Sequence, residues 1–376
     1  MSMFNPLISV NLLLYKPEFY LAPCLKSILA QSYDNFELLV IDNNSGDGTA
    51  EKAQAIINAA QQRGAKVPFH KIIVNKENLG FSGGHNLGIR ESKGELVLLV
   101  NQDIVLDEDF LKNIIGIFNR DAKVGSAQGK LLRLKVANED LVKTETLDNT
   151  GFVMLKNRRI IARGQGQPDS GQYEKMEEIF GVDGALPIFR RAALEEAKID
   201  ILSHPLSISP SRREGEKVGV DGRSVLEARY EYFDEDFFAY KEDVDLAWRL
   251  RLFGWKAYYI PPAMAWHART SGDSIATNYF AIIRERLKIN RFGKYQSFKN
   301  QRLMQIKNEQ IGLLLSHALW FIPKEIGAWL YVLLFEHYTW RAIKDLFRQA
   351  PRAREKRKII MARKKVSGKE MRKWFK

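Results

Sequence analysis

Residues 95–105 read ELVLLVNQDIV, an apolar run that predicts a buried strand and that ends in Asn101, Gln102 and Asp103. An earlier apolar run, FELLVID, ends in the same way at Asp42. Ligands of parallel α/β sheets bind beyond the carboxyl ends of the strands. If these two strands are parallel neighbours, both carboxylates lie on one rim of the sheet and face a ligand.

The first 125 residues support this arrangement, because short apolar runs alternate with segments of helical spacing. Alternation with short loops predicts an α/β fold with a mostly parallel sheet covered by helices on both faces. The predicted strands are residues 7–14, 36–41, 67–74 and 95–100, and the predicted helices are residues 19–31, 49–63, 83–91 and 108–119.

The middle of the chain is predicted to be less uniform. Residues 121–180 look less regular, with one hairpin followed by a glycine-rich loop. Residues 186–197 predict a strand that runs into a helix, and residues 237–253 predict a helix that carries several carboxylates. Residues 199–228 are polar and contain two prolines, which predicts a surface insertion.

Helical patterns dominate after residue 271, so we divide the chain into residues 1–270 and a helical, amphipathic and basic region, residues 271–376. Two apolar runs, IGLLLSHALWF and IGAWLYVLLF, are separated by Pro323, Lys324 and Glu325. Each run is shorter than the about 20 residues that cross a bilayer, so a pair of interfacial or re-entrant helices is expected.

The composition is that of an ordinary globular protein of 376 residues with a net charge of +13. Residues 341–376 hold fifteen Lys or Arg and three acids, so the basic character belongs to the C-terminal tail. A single cysteine, Cys24, fits a reducing compartment. No signal peptide is visible in the first residues, so a cytoplasmic protein is expected.

A glycine-rich stretch, NKENLGFSGGHNLGI, follows the third predicted strand. Its glycines permit close backbone approach, but it matches neither the G-x-G-x-x-G fingerprint nor the Walker A loop. It is either a ligand-binding loop of another type or a turn that opens a helix.

The carboxylate of Asp103 is a hard oxygen ligand of the kind that holds a divalent cation on a diphosphate, although it is also a candidate helix cap. Asp42 either accepts hydrogen bonds from a ligand or only shapes the Asn/Gly/Asp turn that follows it. His267, in WHARTSG, is either structural or completes a metal site with Asp103.

Three acids, Glu242, Asp243 and Asp245, lie among apolar residues in FDEDFFAYKEDVDLAWRLRLFGW. Apolar surroundings can raise the pKa of a carboxyl group toward the value that a general base needs. Alternatively, Arg249 and Arg251 hold these acids in structural ion pairs.

Together these stretches resemble the family 2 inverting glycosyltransferases of the GT-A fold, close to their rhamnosyltransferase-like bacterial branch. The stretches that carry the resemblance lie in the family's order between residues 7 and 272, and they include LLVIDNNSGDGT, NLGFSGGHNLGI, VLLVNQDIVLDEDFL, FGVDGALPIFRRAAL and FFAYKEDVDLAWRLRLFGW. The resemblance implies a Rossmann-like mixed sheet with a C-terminal helical, membrane-associating extension.

On the donor side, the resemblance implies that Asp42 contacts the base of a nucleoside diphosphate and that Asn78 and Gly80 belong to a donor-binding loop. Asn101 and Asp103 match the two ends of the family's D-x-D motif, in which Asp103 binds the metal and Asn101 is a departure that removes one charge. A further departure lies in LLLYKPE, where leucine and lysine replace the usual threonine and asparagine.

On the acceptor side, Asp243 matches the family's catalytic base. Gly184 and Glu242 match positions near the acceptor, and His267 matches a histidine that joins Asp103 in binding the metal. The resemblance therefore implies transfer of a sugar, with rhamnose as one candidate, from a dTDP- or UDP-sugar with the help of Mg²⁺ or Mn²⁺.

The implied acceptor is a saccharide or a polyprenyl-linked saccharide in the synthesis of a cell-surface polysaccharide. The expected location is the inner face of the plasma membrane, because basic and apolar helices together favour an anionic lipid surface. Three alternatives stay open: a nucleic-acid-binding protein that uses the basic tail, a sugar nucleotidyltransferase, and a family member that has lost its activity.

Overall fold

The structure, a computed structural model, describes residues 4–137, 140–200, 230–269 and 275–376. The strands within these residues are β1 (Ile8–Leu14), β2 (Phe36–Asp42), β3 (His70–Val74), β4 (Leu96–Asn101), β5 (Ile104–Leu106), β6 (Val124–Ala137), β7 (Asp140–Asn149), β8 (Phe152–Met154), β9 (Ile160–Ala162), β10 (Glu177–Ile179), β11 (Pro187–Arg190), β12 (Ile199–Asp200), β13 (Tyr230–Glu231) and β14 (Lys256–His267).

The α-helices among the described residues alternate with strands at first and then follow one another. They are α1 (Leu21–Leu29), α2 (Thr49–Gln62), α3 (Gly80–Glu91), α4 (Phe110–Arg120), α5 (Arg191–Ala197), α6 (Glu242–Leu252), α7 (Tyr279–Lys288), α8 (Arg291–Asn308), α9 (Ile311–Ser316), α10 (Ala318–Phe335), α11 (Trp340–Arg363) and α12 (Gly368–Met371).

Ten of the described strands form one mixed sheet, in which the main order is β10-β14-β6-β11-β4-β1-β2-β3. Strands β1 to β4 are parallel to one another, and β11 is antiparallel to both β4 and β6. The register pairs Leu14 with Asp42 and Leu13 with Asn101, so these strands end at the same level. The predicted α/β GT-A-like architecture is confirmed.

Alternate residues of β4 face two separate cores, as expected for a strand buried on both sides. Leu98 and Val100 belong to the core beneath α1, α2 and α4. Val97 and Leu99 belong to the core shared with α5, α6 and the C-terminal helices. The helices on both faces thus fix β4 in the interior, and only its carboxyl end reaches the rim.

Residues 121–180 are more regular than predicted, because β6 and β7 form a long antiparallel hairpin. The outer parts of both strands extend beyond the cores and carry exposed polar residues. They therefore lack the apolar alternation from which a strand is recognised in a sequence.

The acidic helix is shorter than predicted, since α6 begins at Glu242 and not at residue 237. Phe238, Tyr240 and Lys241 have positive φ angles, which end any helical path before Glu242. Glu242 and Asp243 consequently occupy the first turn. The predicted insertion lies outside the described residues except for Ile199 and Asp200, which form β12 and pair with β13.

The C-terminal helices α8 and α11 pack beside the sheet and are joined to it by buried charges. Lys307 on α8 contacts Asp234 and lies 2.8 Å from the Asp245 carboxylate, and Lys356 on α11 lies 2.5 Å from both Glu231 and Asp234. These cations of the C-terminal region therefore form ion pairs inside the protein. The domain boundary at residue 270 stays a prediction.

The two apolar runs are not separated at residues 323–325 as predicted, because α10 continues through Pro323. The break lies instead at His317, between α9 and α10. In the part of the chain that the structure describes, α10 alone is long and apolar enough to cross a membrane by length and composition, and 6% of it is buried.

Candidate active site

Asp42 lies at the end of β2, buried, and shapes the turn that follows it. Its Oδ1 accepts hydrogen bonds from the backbone N–H and the hydroxyl of Ser45, at 3.0 and 2.5 Å. The Ser45 hydroxyl oxygen in turn accepts from the backbone N–H of Lys16 at 2.9 Å. Asp42 therefore holds the loop after β1 against the loop after β2, and its Oδ2 is left for another partner.

Gln102 joins the next strand end to the same loop. Its side-chain oxygen accepts from the backbone N–H of Tyr15 at 2.7 Å, and its side-chain N–H donates to the carbonyl of Tyr15 at 3.1 Å. This paired contact places Asp103 directly beside the loop that Asp42 supports.

The glycine-rich loop packs against the segment that leads to α6. Asn43 donates to the side chain of Asn78 and to the carbonyl of Gly80, at 2.9 and 3.1 Å. A Cβ on Gly80 would lie 2.4 Å from the carbonyl oxygen of Phe238, and the φ of +69° also requires glycine. Asn78 and Gly80 thus link the end of β2 to the acidic helix.

Asp103 and His267 meet at the rim, where a carboxylate oxygen of Asp103 lies 3.4 Å from Nε2 of His267. Nδ1 of the same ring lies 2.8 Å from the carboxylate of Asp148, which is fully buried at the end of β7. Burial disfavours a charged ring, but Asp103 and Asp148 raise the pKa of His267 to about 10. The site thus attracts positive charge.

A second set of contacts leads from this histidine to α6. Asp148 accepts from Nε of Arg269 at 2.7 Å, and Arg269 lies 3.5 Å from the carboxylate of Asp183. The next residue, Gly184, donates its backbone N–H to the carboxylate of Asp243 at 3.1 Å. A Cβ on Gly184 would lie 3.2 Å from this carboxylate, so a glycine permits the close approach.

The environment of Asp243 suits a proton acceptor. Burial, and after it the negative charge of Asp183, raises the pKa of Asp243 to about 6. Among the described residues its carboxylate accepts hydrogen bonds from the backbone N–H groups of Gly184 and Val244. It is therefore oriented without an ion pair that would suppress its basicity.

The neighbouring Glu242 is buried, and its Oε2 has no hydrogen-bond partner in the described part of the chain. Burial and the charge of Asp243 hold the pKa of Glu242 well above its usual range. Glu242 therefore resists ionisation more than an ordinary glutamic acid does, and in its protonated form it has an O–H to donate.

Structural ion pairs account for the third acid but not for Asp243. Asp245 is fully buried and pairs with Lys307 and Arg249. Arg251 pairs with Glu178 instead. Asp245 thus fastens α6 to α8, and it is not part of the rim.

The residues at the rim fit a divalent cation that is shared with a ligand. Asp103 offers a carboxylate, and His267 offers a ring nitrogen once a bound cation displaces its proton; Asp148 supports that ring as carboxylates do behind metal-bound histidines. No group of three or more His, Cys, Asp or Glu side chains arranged for a metal occurs among the described residues. Two protein ligands match a cation that takes its other ligands from water and phosphate.

The structure thus connects the sequence-predicted residues along one rim through these contacts and through adjacency in the chain, and Glu242 is included as the neighbour of Asp243 in the first turn of α6. Asn101 contributes through its backbone, since its N–H donates to the carbonyl of Ala185 at 3.0 Å. Sequence reasoning missed Asp148, Asp183 and Arg269. The Asp-Asn-Thr-Gly turn at residues 148–151 was a local signal for Asp148 alone. Two surface cavities of about 530 and 610 Å³ lie elsewhere and contain none of the predicted residues.

Comparison with known proteins places the chain in a family. The sequence profile of glycosyl transferase family 2 matches residues 9–196, which is half of the chain. The poly-beta-1,6-N-acetyl-D-glucosamine synthase of Staphylococcus aureus is 23% identical over 243 residues, which cover 64% of this chain and 45% of that protein. The chain therefore spans less than half the length of this curated relative.

Solved structures share the fold. GalNAc-T7, solved with UDP, GalNAc and Mn²⁺, superposes with a TM-score of 0.51 at 12% identity, covering 89% of this chain and 59% of that one. The mannosyltransferase PcManGT of Pyrobaculum calidifontis, in complex with GDP-Man and Mn²⁺, gives a TM-score of 0.49 at 14% identity, covering 96% and 86%. At such identities the likeness concerns the fold alone.

Proposed function

Since this chain belongs to glycosyl transferase family 2, we propose that it transfers a sugar from a nucleoside diphosphate donor to a hydroxyl group of an acceptor. The observation that carries this proposal is the continuous rim. Asp42, the Asp103–His267 pair and Asp243 are joined through Gln102, Asp148, Arg269 and Asp183. One extended ligand can therefore contact the base-binding end, the cation site and the proton acceptor at once.

The reaction follows from the carboxylate environments. Asp243 removes the proton of an acceptor hydroxyl, and the oxygen attacks the anomeric carbon as the bond from that carbon to the diphosphate breaks. Attack from the face opposite the leaving group inverts the configuration in one displacement, and no protein nucleophile is required. Glu242, whose pKa is raised by burial and by the charge of Asp243, can in its protonated form donate a hydrogen bond to the acceptor or to the sugar.

The cation belongs to the leaving-group side. Asp103 and His267 would hold Mg²⁺ or Mn²⁺, and a bound cation would supply neutralising charge for the departing diphosphate. The fold neighbour solved with UDP and Mn²⁺ supports this assignment by analogy. Asp148 fixes the ring of His267 so that Nε2 points toward Asp103.

The proposed acceptor, donor and branch of the family are supported by resemblance to other proteins. The S. aureus relative is named for polysaccharide synthesis, which supports an acceptor in a cell-surface polysaccharide. A dTDP- or UDP-sugar donor and the rhamnosyltransferase-like branch rest on the sequence resemblance. The competing proposal of nucleic-acid binding is weakened, because Lys356 and Arg352 of the tail pair with buried or half-buried acids.

The experiment that tests the proposal is a release assay over a panel of UDP-, dTDP- and GDP-sugars, with Mg²⁺, with Mn²⁺ and with chelator. We expect one nucleotide class to release its diphosphate only with a cation present. No release from any donor, together with salt-dependent binding of DNA or RNA, would replace the proposal with the nucleic-acid alternative.

The pH profile provides a prediction for Asp243. A base with a pKa of about 6 is protonated below pH 6 and ionised above it. We therefore expect kcat/KM to fall about tenfold per pH unit below pH 6 and to level off above it, because this profile reports the free enzyme. Initial rates between pH 4.5 and 8.5 at saturating cation measure it.

The matched variant for this profile is Asp183→Asn. It keeps the side-chain shape but removes the negative charge that raises the pKa of Asp243. We expect the acidic limb to move to lower pH in this variant. A midpoint that stays in place would show that Asp183 does not govern the base, and a wild-type midpoint near pH 4 would contradict the assignment of Asp243.

A third measurement concerns Asp148 as a positioning residue. Asp148→Ala removes the acceptor for Nδ1 of His267, so the ring loses its orientation, and we expect cation affinity to fall about 10–100-fold. Titration of Mn²⁺ by electron paramagnetic resonance in the presence of UDP measures this affinity directly. Glu145→Gln, at an exposed position on the same strand, is the control that keeps wild-type affinity. Equal Mn²⁺ binding in both variants would exclude the positioning role.

A further inference from the structure

The charges of residues 275–348 are unevenly distributed between the interior and the surface. Every acid in this stretch is at least partly buried and has a cationic partner; the pairs are Glu285–Arg159, Glu309–Arg158, Glu325–Arg302, Glu336–Arg286 and Asp345–Arg348. The exposed Lys and Arg residues of the stretch are Arg284, Lys288, Arg291, Arg341, Lys344 and Arg348. Apart from histidine, its exposed charges are therefore all positive.

Helix α7 presents an apolar stripe between these cations. Phe280, Ile283 and Leu287 recur at helical spacing and are 88%, 40% and 64% exposed. Arg284 and Lys288 lie next to them in the sequence and are also exposed. A helix with an exposed apolar stripe and basic neighbours is typical of one that lies in the plane of a membrane interface.

Helix α10 shows the same division between two sides. One side packs on α8, where Glu325 accepts from Arg302 at 2.8 Å and the ring of Trp329 lies 5.2 Å from that of Phe298. The other side is exposed, and it carries Leu319, Ile322, Ile326, Leu330 and Leu333. Contact with α8 at both Glu325 and Trp329 argues for a helix that lies along the protein surface and not for one that leaves the body to cross a bilayer.

The two helices are held together, and the start of α8, just after α7, contacts the segment that leads to Asp243. Arg286 of α7 donates to Glu336, just after α10, and its guanidinium lies 5.9 Å from the ring of Tyr331. Phe292, after α7, packs edge-on against Phe238 and Tyr240 at 6.0 and 6.2 Å between ring centroids. These two residues belong to the segment that precedes Asp243 and contacts Gly80.

We propose that the exposed apolar sides of α7 and α10, with the exposed cations Arg284 and Lys288 of α7 and Arg291 after it, form a lipid-docking face for an anionic membrane surface, and that the acceptor reaches Asp243 from this surface as a lipid-linked saccharide. The second part rests on the proposed function, whereas the first does not. Charge complementarity selects anionic lipid as the occupant, because a second copy of the chain would bring these cations against their own counterparts.

The first part is tested by flotation of the full-length protein with two kinds of vesicle. One kind is phosphatidylcholine alone, and in the other about one lipid in three is the anionic phosphatidylglycerol. The wild-type chain is expected to float with the anionic vesicles and to be released by high salt. Phe280→Asp/Leu287→Asp is expected to reduce binding at least about tenfold, because two apolar side chains no longer enter the interface. Arg284→Gln/Lys288→Gln is expected to reduce it about fivefold per cation.

The control variant is Phe69→Asp, which places an aspartate at an exposed phenylalanine just before β3, outside the helices of the lipid-docking face. Circular dichroism of each variant shows that it is folded. Equal binding by Phe69→Asp and Phe280→Asp/Leu287→Asp, or no binding by the wild type, overturns the docking face. A concentration-dependent dimer that dissociates in the α7 variant would assign the face to a second copy of the chain.

The second part is tested by supplying a radiolabelled donor to membrane vesicles from the source organism and by extracting the products into organic solvent. We expect label in the lipid extract and less of it with Phe280→Asp/Leu287→Asp. In detergent, we expect the transfer activity of that variant to return to the wild-type level. Label confined to the aqueous phase would overturn the lipid-linked acceptor. Absence of transfer in every arm, with vesicle binding intact, would count against the proposed function and leave the docking face standing.

Discussion

Asp243→Asn is expected to reduce kcat about 10²–10⁴-fold while donor affinity stays within about twofold of the wild type, because the variant removes general-base catalysis alone. Asparagine keeps the shape of the side chain, and its carbonyl oxygen can still accept from the backbone N–H of Gly184. Steady-state transfer rates and calorimetric titration with the nucleoside diphosphate separate the two effects.

The control for this variant is Asp47→Asn, which removes a carboxylate that accepts from Thr49 at the start of α2. The side-chain oxygen of asparagine can accept the same two hydrogen bonds from Thr49, so wild-type transfer is expected. Transfer at more than a tenth of the wild-type rate by Asp243→Asn would show that another group, with Glu242 the nearest candidate, takes the proton.

Asp103→Asn is expected to lower both cation affinity and kcat/KM, by at least about 100-fold in kcat/KM, because the Lewis-acid contribution of a metal ion amounts to several kcal/mol. The variant keeps the size of the side chain but loses the charge that faces His267 at 3.4 Å. Activity as a function of Mn²⁺ concentration, with and without chelator, measures the loss.

Glu108→Gln is the matched control for Asp103→Asn, because it removes an exposed charge five residues away. It is expected to show wild-type dependence on the cation. If Asp103→Asn kept full activity in chelator, the reaction would not need the cation, and Asp103 would be a structural residue that accounts only for the position of His267.

The sequence predicted the sheet and its rim well, because β1, β2 and β4 are buried on both faces and consist mainly of apolar residues. Strands β6 and β7 were not predicted, because their outer residues are exposed and mostly polar and so lack this apolar pattern. Helix α6 was predicted too long because positive φ angles at Phe238 and Lys241 leave no trace in the amino-acid pattern.

The candidate site was only partly visible in the sequence. Strand-end carboxylates can be found from local patterns, and Asp42 and Asp103 were. Asp148 and Asp183 act through contacts with residues 119 and 86 positions away in the chain. Periodic patterns in a sequence do not reveal contacts between residues so far apart. Sequence reasoning likewise treated the tail as one basic surface, whereas Lys356 is buried against Asp234 and Glu231.

The measurement that most directly tests the central claim is a crystal structure of the full chain with UDP and Mn²⁺, using anomalous scattering to locate the metal. We predict one nucleotide along the rim, with its base beside Asp42, its diphosphate beside Asp103 and His267 on a shared Mn²⁺, and its free end toward Asp243. A nucleotide bound elsewhere, or a Mn²⁺ that contacts neither Asp103 nor His267, would contradict the claim that these residues serve a single donor.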